Sequence, residues 1–216
     1  MAKEIENTMI DNNVYIFTDI NATTTNETIA KLTQWVYALP LPVMPNATTP
    51  NKIYTPFEKI PENIPVLNVY INSNGGNVAQ TQPILTMFHY ASARGAIIRT
   101  YNLYRASSCA SVIAVSGTHG YRYMAENAYN FIHFGDISAT ANHPEEIEFA
   151  KKHLKRHDNL SRTIYLGNTK LTQKEIDKYY NTEGAGNLFA KQCLTKGLCD
   201  WIIMNDGRFV NKAREM

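Results

Sequence analysis

Asn102-Leu-Tyr-Arg-Ala-Ser-Ser-Cys-Ala-Ser-Val-Ile-Ala-Val-Ser-Gly117 reads as the end of an extended segment, a tight turn and a short buried helix. The small residues Ala106, Ser107, Ser108, Cys109, Ala110 and Ser111 let two backbones approach closely at the turn. Ser108 then falls near the helix N-terminus, where free N–H groups and the helix dipole favour negative charge. A serine so placed can act as a nucleophile, the next N–H helping to bind an oxyanion. A helix packed tightly on a sheet, with its serines as caps and volume fillers, accounts for the same residues.

Upstream, Val66-Leu67-Asn68-Val69-Tyr70-Ile71 is β-branched and aromatic, with apolar residues on both faces, which suits a strand in a sheet covered on both sides. It runs into Asn72-Ser73-Asn74-Gly75-Gly76-Asn77, a turn whose paired glycines can present backbone N–H groups that side chains would block. A helix is predicted from about Ala79 to Arg94, then a strand over Ile97–Tyr101. Strand, glycine turn, helix, strand, serine turn and helix make a βαβα pattern, which predicts a mostly parallel sheet with right-handed crossovers. Functional loops of such sheets gather beyond the carboxyl ends of the strands. Both turns lie at such ends and are expected to face one another.

Before this unit, Val14–Phe17 reads as a strand, and Asn26–Tyr37 as a helix capped by Thr24 or Thr25. Residues 1–12 are polar, and mobility is expected there. Residues 39–65 hold seven of the nine prolines, a density that neither helix nor central strand tolerates. They are read as an irregular surface insertion within one domain spanning 1–216.

After the serine turn come strands at Tyr121–Met124 and Asn130–Phe134, the second carrying His133 near its end. A long helix is expected from Pro144 to about Leu166, with Ile147, Ala150, Leu154, His157, Ser161 and Ile164 as its less polar stripe. Thr172 with Glu175 forms a capping box for a helix over Gln173–Tyr180. Asn187–Lys196 reads as a further helix and Leu198–Ile203 as a last strand. On the long helix, His153 and His157 are spaced to share a metal. Their neighbours Lys151, Lys152, Lys155 and Arg156, and the lack of a third ligand, favour a solvated helix face instead. A serine nucleophile needs a base within reach, and the base needs a third group to hold its tautomer. By its residues alone, His133 serves equally well as that base or as a structural histidine.

The 216 residues carry a net charge of +2, with 44% hydrophobic and 19% charged residues, an ordinary globular composition. The small charge gives no electrostatic case for nucleic acid or an anionic membrane, and no apolar run is long enough to span a bilayer. Cys109, Cys193 and Cys199 have no metal-ligand or redox spacing, and the N-terminal residues lack a signal-peptide core. A reduced, cytoplasmic compartment is the expectation.

Several of these stretches resemble one family in order and at similar spacing, from about Val14 to Ile203. Tyr70-Ile71-Asn72-Ser73-Asn74-Gly75-Gly76 is similar to the Y-I-N-S-P-G-G turn of the Clp protease proteolytic subunit (ClpP) family. Ala106-Ser107-Ser108-Cys109-Ala110 resembles its A-A-S-M-G nucleophile motif, and Phe131-Ile132-His133 its M-I-H-Q-P, without the proline. Thr169–Thr172 with Ile176 resembles T-G-Q-S-L-x-x-I, and Lys196–Asp200 resembles Y-G-L-V-D.

The resemblance implies an α/β, ClpP/crotonase-like fold of repeated βαβ units, with a protruding handle helix in about 136–166. It implies a serine endopeptidase that cleaves unfolded proteins or peptides through an acyl-enzyme. Ser108 would be the nucleophile, His133 the general base, and Gly76 with the Cys109 N–H the oxyanion hole. Counting back from Asp200 puts the family's orienting aspartate at Asn181, with Glu183 and Asp136 as substitutes. An amide can hold the histidine tautomer but brings no full charge, so weakened activity is expected. Gly184 replaces an arginine that supports contact between rings. The resemblance further implies a homo-oligomer (a heptameric ring or double ring), an AAA+ unfoldase as partner, and no metal or organic cofactor. A catalytically weak scaffold subunit of the same fold, and a crotonase-type acyl-CoA enzyme, are the alternatives.

Overall fold

A computed structural model of the chain describes residues 8–40, 53–133, 135, 144–182, 184 and 186–216. In chain order the elements are β1 (Thr8–Ile10), β2 (Asn13–Ile16), α1 (Ala22–Ala38), β3 (Val66–Ser73), α2 (Val78–Ala93), β4 (Ile97–Ser107) and α3 (Cys109–Val115). They continue as β5 (Arg122–Ala125), β6 (Tyr129–Phe131), α4 (Pro144–Asn168), α5 (Gln173–Asn181), β7 (Asn187–Phe189), α6 (Ala190–Thr195), β8 (Trp201–Ile203) and β9 (Phe209–Val210). The fold is α/β, as the sequence pattern predicts.

The sheet runs β1-β2-β3-β4-β5-β8-β9, with β6 and β7 branching from it. Every pairing from β2 through β8 along this path is parallel, and antiparallel β1 and β9 close the two edges. β4 is the hub. Its first half pairs β3 and β5, whereas Arg105–Ser107 pair in parallel with Tyr129–Phe131 of β6. An irregularity between Ile71 and Ser73 in the β3–β4 ladder shifts the register just before both strands end.

One face of the sheet buries Val14, Ile16, Leu67, Val69, Ile71, Ile98, Met124 and Ile202 beneath the helices. On the other face Tyr15, Tyr70, Tyr101 and Tyr123 stack side by side across four strands, with ring centroids 4.8–5.3 Å apart. β3 therefore alternates fully and partly buried residues, rather than being sealed on both sides. The described half of the proline-rich insertion lies over the tyrosine face. There Tyr54, Ile60 and Ile64 pack on Ile97, Tyr121 and Tyr123, and the Tyr121 hydroxyl accepts the Tyr54 N–H at 2.7 Å. Residues 41–52 of that insertion lie outside the described residues.

Several local expectations need correction. α1 begins four residues early because Asn21, not Thr24 or Thr25, caps it, accepting the N–H groups of Thr23 and Thr24. Asn187–Phe189 is strand, not the start of a helix, because it pairs antiparallel with β6. Thr8–Ile10, within the segment expected to be mobile, forms the edge strand β1. The Thr172–Glu175 capping box is present, and Glu175 also holds Lys196 at the end of α6. That ammonium, together with the cap hydrogen bonds, pulls the Glu175 carboxyl down to about 2.

One buried ion pair ties the sheet to the helices. Arg122 at the start of β5 is 1% exposed and grips Asp200 through Nε and Nη2, at 2.9 and 2.7 Å. Asp200 also accepts the N–H groups of Gly120 and Arg122, and Nη1 of Arg122 reaches the Asn168 carbonyl closing α4. Removing one partner leaves the other charge buried and unpaired. Asp200→Ala is expected to lower unfolding free energy by about 3–5 kcal/mol, read by urea titration. A loss below about 1 kcal/mol would contradict this role for the pair.

Candidate active site

The site begins where β3 ends. Ser73 Oγ donates to the Thr18 carbonyl at 2.7 Å and accepts the Gly75 N–H at 3.0 Å, which turns the chain sharply. Gly75 has φ +95°, and a Cβ there would lie 2.5 Å from the Ser107 oxygen and 2.7 Å from Ser108 Cβ. Only glycine fits. Gly76 runs beside Ile20, whose N–H donates to the Gly75 carbonyl at 2.7 Å. The Gly76 carbonyl accepts the Cys109 thiol at 3.2 Å. The glycine turn and the serine turn therefore face each other, as the topology predicts.

Ser108 sits between β4 and α3 at φ 55° and ψ −125°, a conformation that costs a non-glycine residue roughly 1–3 kcal/mol. Its N–H donates to the Phe131 carbonyl at 2.8 Å, and its side chain makes no capping hydrogen bond. The half-buried hydroxyl is thereby held at the tip of a strained turn. The N–H of Cys109, first in α3, lies in the turn whose donors have no acceptor within the helix.

His133 lies two residues beyond the end of β6. The β4–β6 register sets Ser107 opposite Phe131, so Ser108 and His133 leave neighbouring parallel strands at the same end of the sheet. The imidazole is half-buried and stacked on Phe131, 4.9 Å between centroids and 5° from parallel. Among the described residues no hydrogen bond joins it to Ser108. Catalytic hydrogen bonds of this kind often tighten only when substrate is bound.

Among the described residues no hydrogen bond joins Asn181 to His133. Asn181 is exposed at the end of α5, where Nδ2 donates to the Asp177 carbonyl at 2.7 Å. Glu183 and Asp136, the two substitutes, lie outside the described residues.

The long helix contributes groups to which the sequence reading gave no role at the site. His157, expected on a solvated face, turns inward, its side chain 9% exposed. Nε2 lies 3.3 Å from Ser161 Oγ, Nδ1 lies 3.9 Å from Asp158 Oδ1, and the Cys109 thiol adjoins the ring. Burial alone would lower the imidazole pKa, but Asp158 and Cys109 more than offset it and hold His157 up at about 9. Asp158 is itself buried, and its Oδ1 accepts the Gly135 N–H at 3.3 Å. Two turns further on, Tyr165 donates to Ser111 Oγ at 3.1 Å, fastening α4 to α3. The less polar stripe already held Leu154, His157 and Ser161, to which the structure adds Tyr165, whereas the surrounding lysines and arginines pointed to a solvated face.

Among the described residues no group of three His, Cys, Asp or Glu side chains could hold a metal ion, and no helix is long and apolar enough to cross a membrane. The three cysteines are buried and free, with Cys193 pushed up to about 12 by burial.

Comparison with known proteins gives one consistent answer. The profile of the Clp protease family matches residues 59–206, which span the glycine turn, the serine turn, β6 and the last parallel strand. An ATP-dependent Clp protease proteolytic subunit of Ligilactobacillus salivarius (strain UCC118) is 29% identical over 137 residues, covering 63% of this chain and 66% of that protein. The protein of the same name from Streptococcus pyogenes serotype M5 (strain Manfredo) is 28% identical over 147 residues, 67% of this chain and 72% of that one. That of Streptococcus suis (strain 98HAH33) is 28% identical over 139 residues, 63% and 68% respectively. The matches thus span about two thirds of these relatives.

The raised pKa of His157 carries a consequence for stability. A histidine that binds its proton more tightly in the folded chain contributes stability in full below its unfolded value of about 6.5. That contribution is lost as pH rises through about 9. The thermal midpoint is expected to fall between pH 6.5 and 9.5, and His157→Gln to flatten that fall. Identical slopes in the two proteins would contradict the assignment.

Proposed function

This chain belongs to the Clp protease family, and we propose that it is a serine endopeptidase acting on unfolded proteins or peptides through an acyl-enzyme. Ser108 is the nucleophile and His133 the general base. Its imidazole takes the Ser108 proton as Oγ attacks the scissile carbonyl, and returns it to the leaving amine. The Gly76 and Cys109 N–H groups receive the oxyanion, a role in which each donor is worth about 10²–10³ in rate. Water, activated by the same histidine, then releases the acyl group.

The observation that carries this reading is the strained turn at Ser108. It costs stability, is packed against a glycine that admits no side chain, and holds a hydroxyl at the start of a helix at the end of a parallel sheet. A serine that only filled volume or capped a helix needs no such strain. The family match supports the peptidase over an acyl-CoA enzyme, and it does not favour an inactive scaffold.

The finer parts of the proposal rest on the same resemblance. The protein works as a ring-shaped homo-oligomer, heptameric in one ring or two, with α4 as the handle and an AAA+ unfoldase as the supplier of extended chains. The cytoplasm is the compartment in which it does so. Register in the sequence gives the position that orients His133 to Asn181. That amide is exposed and donates to the Asp177 carbonyl, so serving His133 would require it to turn from this bond.

A serine-reactive fluorophosphonate, applied to size-fractionated oligomer and mapped by mass spectrometry, tests the assignment. Labelling is expected at Ser108 and is expected to vanish in His133→Ala. Peptidase turnover is expected to fall about 10⁴-fold or more in Ser108→Ala. An oligomer that is unlabelled in every fraction would mean a scaffold subunit.

A further inference from the structure

We propose that Asp158, on the inner face of α4, is the carboxylate that orients His133, in the place sequence register gives to Asn181. The inference rests on the serine-peptidase reading above and assigns to it a positioning residue from a different helix.

Asp158 is 4% exposed, and its two oxygens are unequally used. Oδ1 accepts the Gly135 N–H at 3.3 Å, while Oδ2 is buried with no hydrogen-bond partner among the described residues. An unpaired buried carboxylate oxygen is costly, and its persistence calls for a donor that arrives in another state. Two groups can supply one: the His157 ring, whose Nδ1 is itself buried without a hydrogen-bond partner among the described residues, and the chain that Asp158 already holds through Gly135. Gly135 follows His133 by two residues, so its N–H and the origin of the imidazole lie within about 7 Å along the backbone. Leu154, one turn before Asp158, packs on the same glycine, so α4 braces this segment at two points.

The groups facing Asp158 fit this assignment. His157 lies on one side, with Nδ1 3.9 Å from Oδ1, and balances the buried charge. Cys109 lies beyond His157, and Tyr180 of α5 feels the carboxylate strongly enough to have its own ionisation raised further. Arg162 is engaged elsewhere, paired with Asp177 and lying 4.5 Å over the Tyr180 ring. The Asn181 amide meanwhile donates to its own helix from an exposed position. In the working state the His133 ring leaves its stack on Phe131, Nδ1–H donates to Asp158 Oδ2, and Nε2 faces Ser108. The carboxylate fixes the tautomer and stabilises the imidazolium that forms when Ser108 gives up its proton, and remains ionised throughout.

The test uses the intact oligomer and follows the rate of fluorophosphonate labelling at Ser108 against pH. Asp158→Asn is expected to slow labelling about 10²-fold or more. It is also expected to move the acidic limb of the profile down by about one pH unit, because the charge that favours imidazolium is gone. A purely structural role would lower the amount of folded protein without moving that limb. Wild-type labelling with an unshifted profile in Asp158→Asn overturns the proposal and leaves the peptidase reading intact, as does a loss imposed by Asn181→Ala instead. An unlabelled wild-type oligomer overturns both. Should Asp158→Asn fail to fold, proton NMR of the wild type answers the same question. A strongly downfield His133 Nδ1 proton, assigned by its loss in His133→Gln, is expected, and its absence overturns the proposal.

Discussion

The contact on which the rest of the site depends is the approach of the Gly75 backbone to the Ser107–Ser108–Cys109 turn. A single Cβ at Gly75 would overlap both the Ser107 carbonyl and the Ser108 side chain. With hydrogen there instead, two loops from adjacent parallel strands close on each other and bring the Gly76 backbone beside Cys109. The strain at Ser108 is tolerated because the surroundings over-determine it. Its N–H is fixed to β6, and the residues of the helix behind it are fully buried. The placement of the proposed oxyanion donors and nucleophile is thus a consequence of packing at the end of the sheet, not of flexible side chains finding one another.

β4 makes that packing possible by belonging to two ladders at once. Its first half builds the central sheet with β3 and β5, and its last three residues pair with β6, which carries the chain to His133. Behind the turn, α4 is held to α3 by Tyr165 and Ser111 and to β5 through Arg122 and Asn168. The long helix is therefore part of the site's foundation as well as a projection. Its inner face lays an imidazole and a carboxylate beneath the serine turn, where the Cys109 thiol of α3 meets the His157 ring.

Much of this was legible in the sequence, for local reasons. Small residues around Ser108, the Gly75-Gly76 pair and the alternation of strand and helix each report on a few neighbouring residues, and together they imply a parallel sheet with facing turns. Boundaries were lost where a distant partner decided them. Asn187–Phe189 has a helix-compatible composition but becomes strand by pairing with β6. The inner face of α4 was legible as a stripe through Leu154, His157 and Ser161, but the exposed Lys151, Lys152, Lys155 and Arg156 around His157 in sequence pointed that histidine to solvent. The position of Asn181 came from counting residues back from Asp200, and counting along a chain says nothing of the direction in which a side chain leaves its helix.

The account turns on Ser108, Gly76 and Cys109 forming one catalytic unit, and the structure of a phosphonate adduct of the oligomer tests that most directly. The adduct is predicted on Ser108 Oγ, with its oxygen about 2.7–3.1 Å from the N–H nitrogens of both Gly76 and Cys109. An adduct on another residue, or one on Ser108 whose oxygen faces solvent away from both donors, would contradict it.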